Sequence, residues 1–161
     1  MQALTFEQLC QDYYARVARL VYLIVGDQHE AEDLSQETFA RAYERWRHVS
    51  DMDSPAAWLY RVAVNLAISH QRRYNRRPRA TRLDVTTAPP EVADPELAAA
   101  LRAISPSQRA AVVCRFYLDM SIEEAAAVLD KKPGTIRALT SQGTSRLRAI
   151  LGADFMEVRD E

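Results

Sequence analysis

The sequence predicts an all-α protein: two small helical domains joined by a flexible linker, the second containing a helix-turn-helix. Three observations carry this. Glycine occurs four times in 161 residues, while alanine, leucine, arginine and glutamate are plentiful, a balance that favours helix over sheet. In both halves apolar residues recur at three- and four-residue steps. Between the halves that periodicity stops, and prolines and threonines take its place. The expected boundaries are 1–77 for the first domain, 78–93 for the linker and 94–155 for the second domain.

The elements follow in order. Phe6, Leu9, Tyr13, Val17, Leu20, Val21 and Ile24 form the stripe of an amphipathic helix, with Gly26 as its natural stop. A second helix is expected from about Glu30 to Trp46, with carboxylates in its first turns, where the helix dipole favours negative charge. His48 to Asp53 reads as a loop. Ser54-Pro55 opens a third helix, serine capping free N–H groups and proline fitting the first turn, and the helix runs to about Tyr74. From Arg76 to Ala93 no apolar period is left. At ~3.3 Å per residue this stretch reaches roughly 60 Å when extended, so the halves can engage distant parts of a large partner. Helix starts resume at Asp94-Pro95, at Ser105-Pro106 and at the capping box Ser121-Ile-Glu-Glu124. A short helix over Ile122 to Leu129, a turn at Asp130 to Pro133 and a longer helix from near Gly134 to about Leu151 give the helix-turn-helix layout. Gly152 to Glu161 reads as a short acidic tail.

Composition excludes several function classes. No segment approaches the ~20 consecutive apolar residues of a membrane span, and the first residues lack a secretory layout, so a cytoplasmic protein without membrane contact is expected. Cys10 and Cys114 are too few for a disulfide framework or a zinc site and are read as small packing residues. His29, His48 and His70 lack metal-ligand spacing, and no phosphate loop or nucleophile elbow is present. No catalytic residue, metal, cofactor or small-molecule substrate is expected.

The formal net charge of -1 hides a separation. Seven arginines (61, 72, 73, 76, 77, 79 and 82) and no carboxylate lie between Arg61 and Arg82, whereas five carboxylates (27, 30, 32, 33 and 37) and no lysine or arginine lie between Asp27 and Glu37. An acidic face and a basic face on one chain suit two different partners.

Three passages carry a resemblance: Ala31-Glu-Asp-Leu-Ser-Gln-Glu-Thr-Phe39, Ala57-Trp-Leu-Tyr-Arg-Val-Ala-Val-Asn65 and Pro133-Gly-Thr-Ile-Arg137. With Leu101 to Arg109 and Ser121 to Ala126, they resemble the landmarks of the extracytoplasmic-function (ECF) RNA polymerase sigma factors, in that family's order and spacing. Gly26-Asp27, Tyr43-Glu-Arg-Trp46 and Thr140-Ser141 are similar to its actinobacterial members. The resemblance implies a factor that binds core RNA polymerase, through a coiled coil of the largest subunit and the flap of the second-largest, and directs promoter recognition and opening.

By the same resemblance, Asp33, Gln36 and Glu37 would meet the polymerase. Asn65 would pair with a base of the melted non-template strand of the −10 element, with Val49 to Asp53 as the wall of its pocket. Arg61, Arg72, Arg73, Arg76 and Arg77 would neutralise phosphates there, contacts that are salt-dependent and largely indifferent to sequence. In the last helix Arg137, Ser141 and Gln142 would face bases or phosphates of the −35 duplex, and Arg146 and Arg148 would touch its backbone or remain in solvent. That helix is poorer in arginine than is common in the family, and Gly143 in its middle costs ~1 kcal/mol relative to alanine, so weak −35 binding by the isolated domain is expected. Trp46 and Trp58 fall on apolar stripes and are expected in the core rather than stacked on bases. An anti-sigma protein is a further implied partner. The alternative, a free-standing helix-turn-helix regulator, would want a dimerisation element, and neither heptads nor a separate dimerisation domain is found. A small enzyme lacks a catalytic constellation, and an RNA-binding protein would share the generic arginine run.

Overall fold

The computed structural model describes residues 3–78 and 95–152. Most of the expected linker, with Arg79 and Arg82, lies outside the described residues, as do residues 1–2 of the first expected domain and Asp94 and residues 153–155 of the second. The described elements are helical, and no strand occurs among the described residues. The chain divides into two compact units, Met1–Thr87 and Ala88–Glu161.

In the first unit, α1 (Phe6–Val25), α2 (Gln28–Glu44) and α4 (Pro55–Arg76) form a three-helix bundle, with the five-residue α3 (Trp46–Ser50) between α2 and α4. The Thr5 hydroxyl accepts from the Gln8 N–H while the Gln8 side chain accepts from the Thr5 N–H, which fixes the start of α1. Gly26 ends α1 at φ 76, a left-handed conformation glycine adopts without a Cβ penalty. Asp27 then caps α2 through the Glu30 N–H. Phe6 lies against Tyr43 and Trp46, at ring-centroid distances of 5.2 and 5.6 Å, so α2 runs antiparallel to α1. Tyr13 meets Tyr60, and the Gln71 amide donates to the Val25 carbonyl at 2.9 Å, so α4 runs parallel to α1. Leu9, Val17, Leu20, Val21 and Ile24 of α1 and Leu59, Ala63, Val64 and Ala67 of α4 are buried among them. Facing these, α2 buries mainly small residues, Ala31, Ser35, Thr38 and Ala42, beside Phe39. The two hydroxyls are satisfied within their own helix, Ser35 on the Ala31 carbonyl and Thr38 on the Leu34 carbonyl.

Three sequence expectations change here. Trp46 does not close α2 but opens α3, because the chain breaks helical geometry at Arg45 (φ -108, ψ 23). His48 to Ser50 therefore belongs to a helix, and the loop shrinks to Asp51–Ser54. Both tryptophans are half-buried rather than in the core; Trp46 packs edge-on against Phe6.

The second unit contains α5 (Pro95–Ala103), α6 (Pro106–Val112), a π-helical turn over Val113–Tyr117, α7 (Ile122–Leu129) and α8 (Pro133–Leu151). Ser105 with Gln108, and Ser121 with Glu124, form reciprocal capping boxes. The joint between α5 and α6 is made by Arg109. Its buried guanidinium donates to the Leu101 carbonyl at 2.6 Å, the Ile104 carbonyl at 3.1 Å and the Arg102 carbonyl at 3.3 Å, covering carbonyls that a helix end leaves unpaired. Burial, then the charge of Arg102, lowers the Arg109 pKa to about 10, so it remains charged near neutral pH. After the π turn Asp119 takes φ 51, and the Arg115 guanidinium donates to the Met120 carbonyl. Asp130 takes φ 53 at the end of α7, and the Lys131 N–H closes back onto the Ala126 carbonyl. That tight reversal lets Pro133 start α8 three residues later.

Gly143, read from sequence as a cost, has a packing reason. It is buried where α8 crosses α6, and a Cβ there would stand 2.7 Å from Val112 Cγ2 and 3.4 Å from the Gln108 carbonyl oxygen. Thr144 beside it is buried and donates to the Thr140 and Ser141 carbonyls.

Candidate nucleic-acid interface

The buried face of α4 (Leu59, Ala63, Val64, Ala67, Ile68 and Gln71) leaves the opposite face to solvent. Arg61, Asn65, Arg72 and Arg76 lie along that open face at steps that add to helical turns, with Ser69 filling the gap between Asn65 and Arg72. Arg73 stands beside them, and Arg77 follows in extended conformation as the C-cap. All of them are exposed. The Arg72, Arg73 and Arg76 guanidiniums sit in the last turns of α4, where the helix dipole also favours positive charge. The arrangement is a polar stripe with one amide, one hydroxyl and a cationic end. It can take phosphates at the arginines and a base edge at the Asn65 amide, which both donates and accepts. Ser69 was absent from the sequence-based candidates; its place three to four residues from Asn65 and Arg72 is the signal that could have found it.

The proposed pocket wall is corrected in part. Val49 is fully buried and cannot line a pocket, whereas Asp51 and Asp53 are exposed and Met52 is half-buried. Val49 faces the core because α3, unlike a loop, has an inner side.

On α2, Asp33, Gln36 and Glu37 are all exposed. Glu37 is engaged by Arg41 one turn later, at 3.0 Å, an exposed pair worth little on its own. Tyr43, on the same helix, is 67% exposed and braced by Phe6. At the other end, His70 Nδ1 of α4 lies 3.6 Å from Glu30 Oε2.

On α8, Arg137, Ser141, Gln142 and Arg146 are exposed, while Ile136, Gly143 and Leu147 are buried. The arginines flank the open face, and its centre holds Gly134, Ala138 and Ser145. Gln142 is not free: its amide oxygen accepts from Gln108 Nε2 at 3.3 Å.

Neither cysteine is poised for reaction. Burial pushes the Cys114 thiol up to about 12, and burial, then Glu7, raises that of Cys10, so both stay protonated near neutral pH. Among the described residues no group of three or more His, Cys, Asp or Glu could hold a metal ion, and no helix is long and apolar enough to cross a membrane.

Family comparison assigns both units. Residues 9–77 match sigma-70 region 2 and residues 95–147 match sigma-70 region 4. An RNA polymerase sigma-E factor of Streptomyces antibioticus is 30% identical over 163 residues, covering 98% of this chain and 91% of the relative. The chain belongs to the sigma-70 family of RNA polymerase sigma factors. It falls in the ECF group: the ECF sigma factor SigE of Mycolicibacterium smegmatis is 35% identical over 95% of this chain, which spans 64% of that relative's length. This sigma factor thus acts with RNA polymerase in transcription initiation. Among solved structures, CnrH, in complex with the cytosolic domain of CnrY, has a TM-score of 0.65 at 26% identity, covering 92% of this chain and 88% of that one. The sigma factor RpoE of Bartonella quintana, in complex with the anti-sigma factor NepR, has a TM-score of 0.80 at 23% identity, covering 92% and 98%, and shares the fold.

Proposed function

We propose a division of labour within this sigma factor. Residues 1–77 dock on core polymerase through Asp33, Gln36 and Glu37 of α2 and capture the melted −10 strand on α4. Asn65 reads a base there while Arg61, Arg72, Arg73, Arg76 and Arg77 hold phosphates. Residues 78–93 link residues 1–77 to residues 94–155, whose α8 meets the −35 duplex with Arg137, Ser141, Gln142 and Arg146. The factor works in the cytoplasm, takes no cofactor and catalyses no reaction of its own. An anti-sigma protein is a further partner; CnrH, to which this chain is similar, is seen in complex with the cytosolic domain of CnrY.

The observation that carries this is the pairing of faces in one bundle. The exposed acidic positions of α2 and the exposed arginine–asparagine stripe of α4 belong to helices packed on a common core. Opening a duplex costs a few kcal/mol per unstacked base, and a strand-binding face fixed to a polymerase-binding face delivers that repayment where polymerase needs it.

The test is co-elution of the full chain with sigma-free core polymerase from its own host. The wild type should elute as one stoichiometric complex. Asp33→Lys/Glu37→Lys should run as free folded protein with an unchanged helical circular-dichroism spectrum. Retention of that double variant on core at the wild-type ratio would sink the α2 assignment.

A further inference from the structure

The way α8 is mounted goes beyond which residues face DNA. Two separate contacts fix α8 against α6, and both converge on one turn of each helix. The first is steric: the backbone at Gly143 is so close to α6 that a Cβ would stand 2.7 Å from Val112 Cγ2. Val112 is buried and, being β-branched in a helix, has essentially one side-chain rotamer, so it cannot swing aside. The second is polar: Gln108 Nε2 donates to Gln142 Oε1 at 3.3 Å. The other end of the same Gln108 amide accepts from the Ser105 N–H, while the Ser105 hydroxyl accepts from the Gln108 N–H. Gln108 is therefore held in place by the capping box at the start of α6 before it reaches α8.

We propose that Gly143 and the Gln108–Gln142 pair form a lock that sets the attitude of α8 on the −35 duplex, and that Gln142 is a positioning residue rather than a reader of bases. This rests on the reading of α8 as the −35 helix. The chemistry agrees with the location. Gln142 and Gly143 are adjacent in sequence, one at the rim of the exposed face and one in the crossing, so they constrain both the rotation of α8 about its axis and its distance from α6. The centre of the open face carries small uncharged side chains, and short side chains reach base edges only if the helix backbone is held at the right depth. A helix with long arginines there could tolerate a change in tilt; this one cannot.

The experiment uses holoenzyme, host core plus full chain, to select from a linear promoter library randomised through the −35 element. The wild type should enrich a definite −35 sequence. Gly143→Ala should flatten that enrichment roughly threefold to tenfold, although alanine is the better helix former, and Gly143→Ala/Val112→Ala should restore most of it. Gln108→Glu keeps the capping acceptor but removes the donor to Gln142. It should give the same broad flattening as Gln142→Ala, with the −10 preference unchanged in both. A Gln142→Ala profile changed at a single base, with Gln108→Glu unchanged, would make Gln142 a reader and overturn the lock. Undiminished enrichment by Gly143→Ala, or no recovery on adding Val112→Ala, would overturn it as well. If the wild type itself enriches no −35 sequence while still enriching a −10, the −35 reading of α8 falls and takes the lock with it.

Discussion

The two helices proposed to face DNA, α4 and α8, are of similar length, 22 and 19 residues, yet they are built on opposite plans. The open face of α4 ends in Arg72, Arg73 and Arg76, long cations whose reach would suit phosphates over a range of positions. The open face of α8 has its arginines at the edges and small side chains at the centre. The mountings differ in the same sense. The bundle holds α4 through a broad apolar face that includes Leu59, Val64 and Ile68, whereas α8 crosses α6 at a glycine. Charge reach tolerates imprecise placement, and short-range contact does not. The first unit can therefore supply salt-sensitive affinity, and the second can contribute only where its geometry is held.

The largest effect expected from this contrast is on salt dependence. Removing one phosphate-binding arginine reduces the slope of log affinity against log salt by about 0.7 to 0.9. Arg72→Ala/Arg73→Ala/Arg76→Ala holoenzyme should thus show a slope shallower by about 2 on a promoter fork. Arg137→Ala/Arg146→Ala should change it by about 1 or less, and equal changes from the two sets would erase the distinction. The next effect is on stability of the second unit. Arg109→Ala strands the carbonyls of Leu101, Arg102 and Ile104 in a buried site, a loss of about 3 kcal/mol. For a unit this small that corresponds to a fall in Tm of roughly 10–20 °C, read as an early melting step in calorimetry of the full chain. Loss of less than about 1 kcal/mol would mean that α5 is not held by Arg109. The smallest is the counterpart in the first unit. Gln71→Ala leaves only the Val25 carbonyl unpaired and should cost about 1–2 kcal/mol, with α4 still able to bind a single strand. A cost as large as that of Arg109→Ala would make the two mountings alike.

Much of this was legible in the sequence because the signals are local. Ser54, Ser105 and Ser121 cap helices whose first turns lie within three residues of them, and Gly26 stops α1 by its own backbone freedom. The exposed positions of α4 follow from the period of its buried ones. What escaped depends on residues distant in the chain. No turn residue marks the break at Arg45 that assigns Trp46 to α3 and places Val49 in the core. Gln142 meets a partner 34 positions away, and Gly143 is explained only by Val112 of another helix. Arg109 looks like one more surface cation until its acceptors, at the end of a different helix, are in view.

The tethering of α4 also governs how such a protein can change over evolutionary time. Its basic end is tied to the neighbouring helices at two adjacent positions, His70 near Glu30 at the start of α2 and Gln71 on the last carbonyl of α1. A substitution that rotated α4 toward a different strand geometry would disturb the acidic helix packed on it and, on the proposed assignment, its fit to polymerase. On the proposed assignment, new promoter preferences are therefore accessible through side chains at the surface, such as Arg61, Asn65, Ser69 and the Asp51–Asp53 turn. Tilting the helix that displays them is the closed route, so a lineage can rewrite its regulon by point changes while the machine interface stays fixed.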